Sequence, residues 1–276
     1  MSNWKLTVSA PASTVSMGNI SDYLNTQQAI SSPIDSFYKS RNELLAAITP
    51  AFAGSHANVV SLVLVGLISC TENYFREVMS GIIAICPKAK EKSAQKTVNL
   101  ATAWFGYGNI EKGAFENTSF SDKKAITDNL KNFIGYEIKK NNQLVQPLEE
   151  FARLCEMRHA IVHSSGLLAG KNAIKLNLPS SKDAVKIELG FAELQEAAEI
   201  CTSLVCSSNI ELFSYIGKRW LHEWPSTPAY SAANMNELFK KVWRLFFSEI
   251  DNAGGRIQNT LSPIKTRNLL SRTNAA

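Results

Sequence analysis

The chain has 276 residues, 45% of them hydrophobic, which supports a sizeable core and excludes a disordered protein. Lys and Arg number 29 against 24 Asp and Glu, a net charge of +5 spread as −1 over 1–87, +4 over 88–145, −3 over 146–217 and +5 over 218–276. The longest apolar stretch, Val59–Cys70, is broken by Ser61, Gly66 and Ser69 and is shorter than the roughly 18 residues of a membrane span, so no membrane partner is expected.

Met1–Ile20 is polar, with no apolar leader, and 1–32 reads as an irregular N-terminal segment. Ser32-Pro33 opens a helix with Ser32 as cap and Pro33 in the first turn. Phe37, Leu44, Leu45 and Ile48 carry that helix to Thr49-Pro50. Ser55 to about Ile85 is apolar on most sides and reads as a central buried helix, stopped by Pro87. A helix over Lys88–Phe105 and another capped by Ser121-Asp122 follow. The next runs from about Leu144 to His163 with the stripe Leu148, Phe151, Ala152, Cys155, His159 and Val162. Gly166 and Gly170 mark its exit.

The period then changes. Ala173–Leu178 and Ala184–Leu189 alternate around Pro179-Ser180-Ser181, which predicts a β-hairpin. Phe191 to about Ile216 returns to helical spacing. Asn236–Ile250 is the last amphipathic helix, with a frayed tail over 251–276. The expected architecture is an all-α bundle with one small inserted hairpin. It comprises a helical domain over 33–217 and a basic, aromatic C-terminal extension over 218–276. Cys70, Cys86, Cys155, Cys201 and Cys206 are odd in number and scattered through helical, apolar contexts. They read as buried thiols of a reducing compartment, the cytoplasm, and not as a disulfide framework.

No phosphate-binding glycine loop, dinucleotide fingerprint, zincin motif or serine elbow occurs. Histidine is scarce, and His159 and His163 fall in one segment with Cys155 and Arg158. On a wheel of about 100° per residue His159 lies inside the stripe, while Arg158 and His163 flank it about 140° apart. Three readings of this segment stand. A histidine near neutral pKa can move the proton of a ribose 2′-OH or of the leaving oxygen, while arginine stabilises charge on the phosphorane. Cys155, His159 and His163 offer three zinc-type ligands at C-x3-H-x3-H spacing, without an evident fourth. Alternatively His159 is a satisfied core histidine and Arg158 pairs with Glu156 or Glu150.

Arg158–His163 resembles the R-x4-6-H signature of the HEPN superfamily, with His159 at its polar position. The wider Arg158–Gly166 segment, RHAIVHSSG, is similar to the form found in prokaryotic RiboL-PSP-HEPN-like domains. Leu67–Met79, with Glu72-Asn73-Tyr74, resembles the long helix of such domains. This resemblance implies a helical bundle, usually a homodimer with a composite site. Many members are metal- and cofactor-independent endoribonucleases acting as toxins or antiviral effectors. It implies Arg158 and His163 as catalytic pair, His159 as orienting residue, and products with 2′,3′-cyclic phosphate and 5′-hydroxyl ends. Non-catalytic members that dimerise or bind RNA are the alternative, and an antitoxin or other regulatory partner is expected for a toxin.

Glu72 is expected either to hold the Arg158 guanidinium or to be partly exposed. Lys88, Lys90, Lys92 and Lys96 form a solvated helix face or an RNA-backbone contact. Trp220, Trp224, Trp243, Phe246 and Phe247, interleaved with Lys218, Arg219, Lys240, Lys241 and Arg244, either dock the tail or stack on bases.

Overall fold

A computed structural model describes residues 8–9, 15–25, 32–105, 110–228, 231 and 233–273. They divide into two units, Met1–Ile30 and Ser31–Ala276. In the first, Asn19 caps a 3-10 turn over Ile20–Tyr23, its Oδ1 accepting from the Ser21 amide.

The second unit carries α1 (Pro33–Ala46), α2 (Pro50–Ser55), α3 (Ala57–Ile85), α4 (Pro87–Ser93), α5 (Leu100–Phe105) and α6 (Ile110–Gly113). After α7 (Lys123–Asn129) a π-helical turn, Leu130–Ile134, closes on Gly135 at φ 76°. Then come α8 (Val145–Ser164), α9 (Gly170–Lys175), α10 (Phe191–His222), α11 (Met235–Phe246), α12 (Glu249–Ala253) and α13 (Pro263–Thr273). Prolines open α1, α2 and α4, where a missing amide hydrogen costs nothing. Asp122 caps α7 through the Ala125 amide at 2.7 Å. Ser32 stands at the cap of α1 but its hydroxyl makes no capping bond.

The expected all-α class holds. Helix α3 is the axis, with α1, α8, α10 and α11 packed on it. Val60, Leu64, Leu67, Ile68, Phe75, Val78, Met79 and Ile82 are fully buried. By length and composition alone α3 could cross a membrane, contrary to the expectation from its interrupted apolar run; half of its apolar window is buried within the bundle. Helix α8 runs antiparallel to α3. Lys186, bridged to Leu167 beyond the α8 exit, donates to Asn58 at the start of α3 (3.2 Å), while Cys155 lies within electrostatic reach of Glu72 at mid-helix.

Four expectations need correction. The β-hairpin does not form, and no strand occurs among the described residues. Its first half is taken up by the end of α9 and its cap: Asn172 is buried, Ala173 and the capping Leu176 are partly buried, a helical spacing, and Ile174 is exposed. Asn172 and Lys175 both bond to Glu156 of α8, ties that a six-residue alternation does not encode. Its second half runs extended along the α8 exit, where the Ile187 amide donates to the Gly166 carbonyl and the Leu168 amide to the Val185 carbonyl, both at 2.9 Å. Second, the helix expected over Lys88–Phe105 is two. Ser93 turns back to donate to the Phe133 carbonyl (2.9 Å), and Asn99 starts α5 by accepting from the Ala101 amide (3.0 Å). Third, α10 runs through the boundary expected at 217/218. Trp220, Trp224, Phe239, Val242 and Phe246 are buried, so the tail belongs to the same core. Fourth, residues after 250 are partly helical. Helix α11 stops at Phe247 where the backbone extends, and Ser248 caps α12; α13 packs on α10 and α11.

One buried acid joins the start of the unit to its end. Asp35, in the first turn of α1, accepts from Ser248 Oγ (2.5 Å), the Glu249 amide (2.9 Å) and the Ile250 amide (3.4 Å). Removing this acceptor strands donors at the start of α12. Asp35→Ala is expected to cost about 3 kcal/mol of stability, read by urea denaturation, with the loss of protection by hydrogen exchange largest over 247–253.

Candidate functional site

The three expected catalytic residues, Arg158, His159 and His163, sit in the last two turns of α8. The helix seats its Leu148, Phe151, Leu154, Cys155 and Ile161 side against the bundle. This differs from the expected stripe, since Ala152 is only half-buried and His159 and Val162 are exposed. Both stripes share Leu148, Phe151 and Cys155. Packing between α3 and α10 selects the side with the bulkier Leu154 and Ile161. His159 is therefore not a core histidine. Its ring lies 4.6 Å from that of His163, tilted by 49°, and the two stand together on the outer face.

Arg158 follows Cys155 by three residues and is half-buried. No hydrogen bond or ion pair joins it to a described residue: Glu150 is paired with Arg153 (3.2 Å) and Glu156 with Lys175 and Asn172. Within one chain Arg158 and His163 stay on different sides of the helix. Glu72 is buried and bonded by Arg76 one turn along α3 (2.9 Å), which also donates to the Thr118 carbonyl (3.3 Å). Neither expectation for Glu72 is met, because it is neither on Arg158 nor partly exposed.

The end of α8 is fixed by backbone geometry. Ser165 (φ 51°) and Gly166 (φ 88°) both turn left-handed, and the Gly166 amide reaches back to the Ala160 carbonyl at 3.0 Å. A Cβ on Gly166 would stand 3.2 Å from the Ile187 carbonyl oxygen, so φ and space both call for glycine.

The expected RNA-contacting lysines lie elsewhere. Lys88 pairs with Glu91 (3.0 Å) and Lys96 stands 5.2 Å from the centroid of the Phe133 ring. Lys90, Lys92 and Lys96 are exposed. Their helix begins after the C-terminal end of α3. Glu72 and Cys155 share a level and the helices are antiparallel, so at about 1.5 Å per residue these lysines stand roughly 30 Å along the bundle from His163. A single chain does not unite them with the histidines.

The zinc reading also loses its geometry. Cys155 is buried toward Cys201 and Glu72, while His159 and His163 face outward. Among the described residues no three His, Cys, Asp or Glu side chains are grouped to hold a metal. Burial, aided by the nearby Glu72 carboxylate, pushes the Cys155 thiol far above its ordinary range, and burial pushes Cys201 up to about 12. Cys86 is buried as expected, but Cys70 and Cys206 are only half-buried.

A cavity of about 830 Å³ lies between α1, α10 and the α11–α12 corner. Its polar centre is Tyr38, Cys206 and Asp251, separated by 168 and 213 positions in the chain, which no local spacing could reveal. The aromatic tail residues Trp243 and Phe247 line it. Comparison with protein-family models, with curated proteins and with solved structures returns no match.

Gly166→Ala is expected to lower stability by about 1–2 kcal/mol, read as a fall in melting temperature. A thiol reagent at pH 8 is expected to label Cys206 well before Cys155 and Cys201, which react only after denaturation; mass spectrometry of timed digests checks the order.

Proposed function

We propose that this chain is a HEPN-type, metal-independent endoribonuclease whose site is completed by pairing two copies along α8. The observation that carries the reading is the exposed His159–His163 pair, with an acid-free Arg158, on the segment that resembles the HEPN signature. Solvent-facing imidazoles suit proton transfer to and from a ribose phosphate. A guanidinium without a carboxylate partner keeps its fork of donors for a phosphoryl oxygen.

The reading requires a second copy. Arg158 and His163 diverge in one chain, and the same face leaves Val162 about half exposed (49%), with Leu167 just beyond the helix end exposed to the same extent (48%). Apposing two such faces buries those side chains and sets two histidine pairs and two arginines around one groove. In this arrangement His163 takes or gives the proton, His159 orients it, and Arg158 stabilises the phosphorane. The products carry 2′,3′-cyclic phosphate and 5′-hydroxyl ends. A cytoplasmic toxin or antiviral effector is the corresponding role, and such an activity calls for a neutralising partner.

A second reading is a non-catalytic HEPN module that dimerises or binds RNA. The distance of the Lys88–Lys96 block from the histidines favours it, because the basic track expected to hold a polyanion then does not border the site.

The two separate in one assay. Wild type, incubated with RNA in excess EDTA, is expected to cleave it. Arg158→Ala and His163→Ala are each expected to lose about 10²–10⁴-fold in rate. Activity persisting in both variants, or vanishing only with the chelator, sinks the ribonuclease reading. Absence of cleavage together with a dimer by light scattering selects the non-catalytic module.

A further inference from the structure

The cavity between α1, α10 and the α11–α12 corner is separate from the α8 face and does not depend on the ribonuclease reading. Its volume of about 830 Å³ lies within the range of sites that enclose a small molecule. Its lining divides into two chemistries. On one side Trp243 and Phe247 stack on each other at 3.9 Å, both half-buried, with Phe213 beside them. On the other, Arg41 donates through Nη1 to Thr202 Oγ1 (2.6 Å) and through Nε and Nη2 to Asn42 Oδ1 (3.2 and 2.9 Å). All these acceptors are neutral, and one N–H on each terminal nitrogen remains.

Charge bookkeeping singles out Arg41. Arg256 is neutralised by Asp251, its Nε 2.8 Å from Oδ1. Glu199 also lines the cavity but is exposed and forms no ion pair with Arg41. Both guanidiniums rest near the Tyr38 ring, 5.4 and 5.5 Å from its centroid. Tyr38 is itself fixed by donating to Asp251 Oδ2 (3.1 Å) and by its contact with Cys206 (3.0 Å). The cation is thus held in place before any ligand arrives, which reduces the ordering cost of binding.

We propose that this cavity binds a planar aromatic ring carrying an anionic group, the ring against Trp243 and Phe247 and the anion on Arg41. Gln258 and Asn259, also in the lining, supply amide donors and acceptors suited to the edge of a heterocycle. Phosphate and carboxylate share the chemistry of the anion, so both are probed.

The test is calorimetric titration of the full chain with AMP and indole-3-acetate, and with adenosine and ribose 5-phosphate as halves lacking anion or ring. At least one aromatic anion is expected to bind saturably at one site per chain, with both halves at least tenfold weaker. Arg41→Gln is expected to weaken binding at least tenfold. Ile210→Glu, at a cavity-lining position that is 63% exposed, adds a repelling charge without emptying the core and is expected to do the same. Melting curves confirm that each variant folds. No binding of either aromatic anion at millimolar concentration overturns the proposal. So does equal binding of either half, or unchanged affinity in both folded variants.

Discussion

A 29-residue helix that is apolar on most sides must be wrapped, and that constraint organises the whole larger unit. Helix α3 exposes too much oily surface for one neighbour to cover, so α1, α8, α10 and α11 each take a side. At about 1.5–3 kcal/mol for each large apolar side chain removed from water, the fully buried row from Val60 to Ile82 dominates every other local preference. The extension of α10 to His222 follows from it. The last turns of α10, with Trp220, close the far end of the wrap, and Trp224, Phe239 and Phe246 complete the same core. The C-terminal residues therefore form part of the wall around α3.

The same wrapping sets the rotation of α8, and rotation decides which residues can do chemistry. Turning Leu154 and Ile161 inward turns His159, Val162 and His163 outward. Arg158 is left near the boundary, half-buried beside Cys155. Two buried thiols and a buried, paired Glu72 then fill the space beneath the segment. The outer histidines have no such fixed company.

Much of this was legible in the sequence, and the failures share causes. Helix limits declared themselves: Pro33 and Asp122 marked starts, Pro87 marked the end of the central helix, and the apolar density from Ser55 to about Ile85 marked the axis. Short alternations did not. Ala173–Leu178 can be read with period two or as one helical turn, and its choice rests on Asn172 and Lys175 meeting Glu156, a contact between elements. The stripe on α8 failed for a related reason. A broad apolar face admits two settings that differ by one residue, and only the neighbouring helices select between them. The cavity was least legible, because Tyr38, Cys206 and Asp251 come from three distant parts of the chain. Its aromatic wall, Trp243 and Phe247, was visible as composition, yet composition could not tell docking from stacking. The structure assigns Trp220 and Trp224 to the core and leaves Trp243 and Phe247 at the cavity.

The paired backbone bonds at 166–168 and 185–187 have a consequence for how the chain could vary. They close the intervening segment at its base, so its tip beyond α9 is a loop with both ends pinned. Lengthening a loop already closed this way costs only about 0.6 kcal/mol per doubling. Beyond the ties of Asn172 and Lys175 to Glu156 of α8, the stretch 177–184 can be remodelled or exchanged while the histidine end of that helix, held through Gly166, stays where it is.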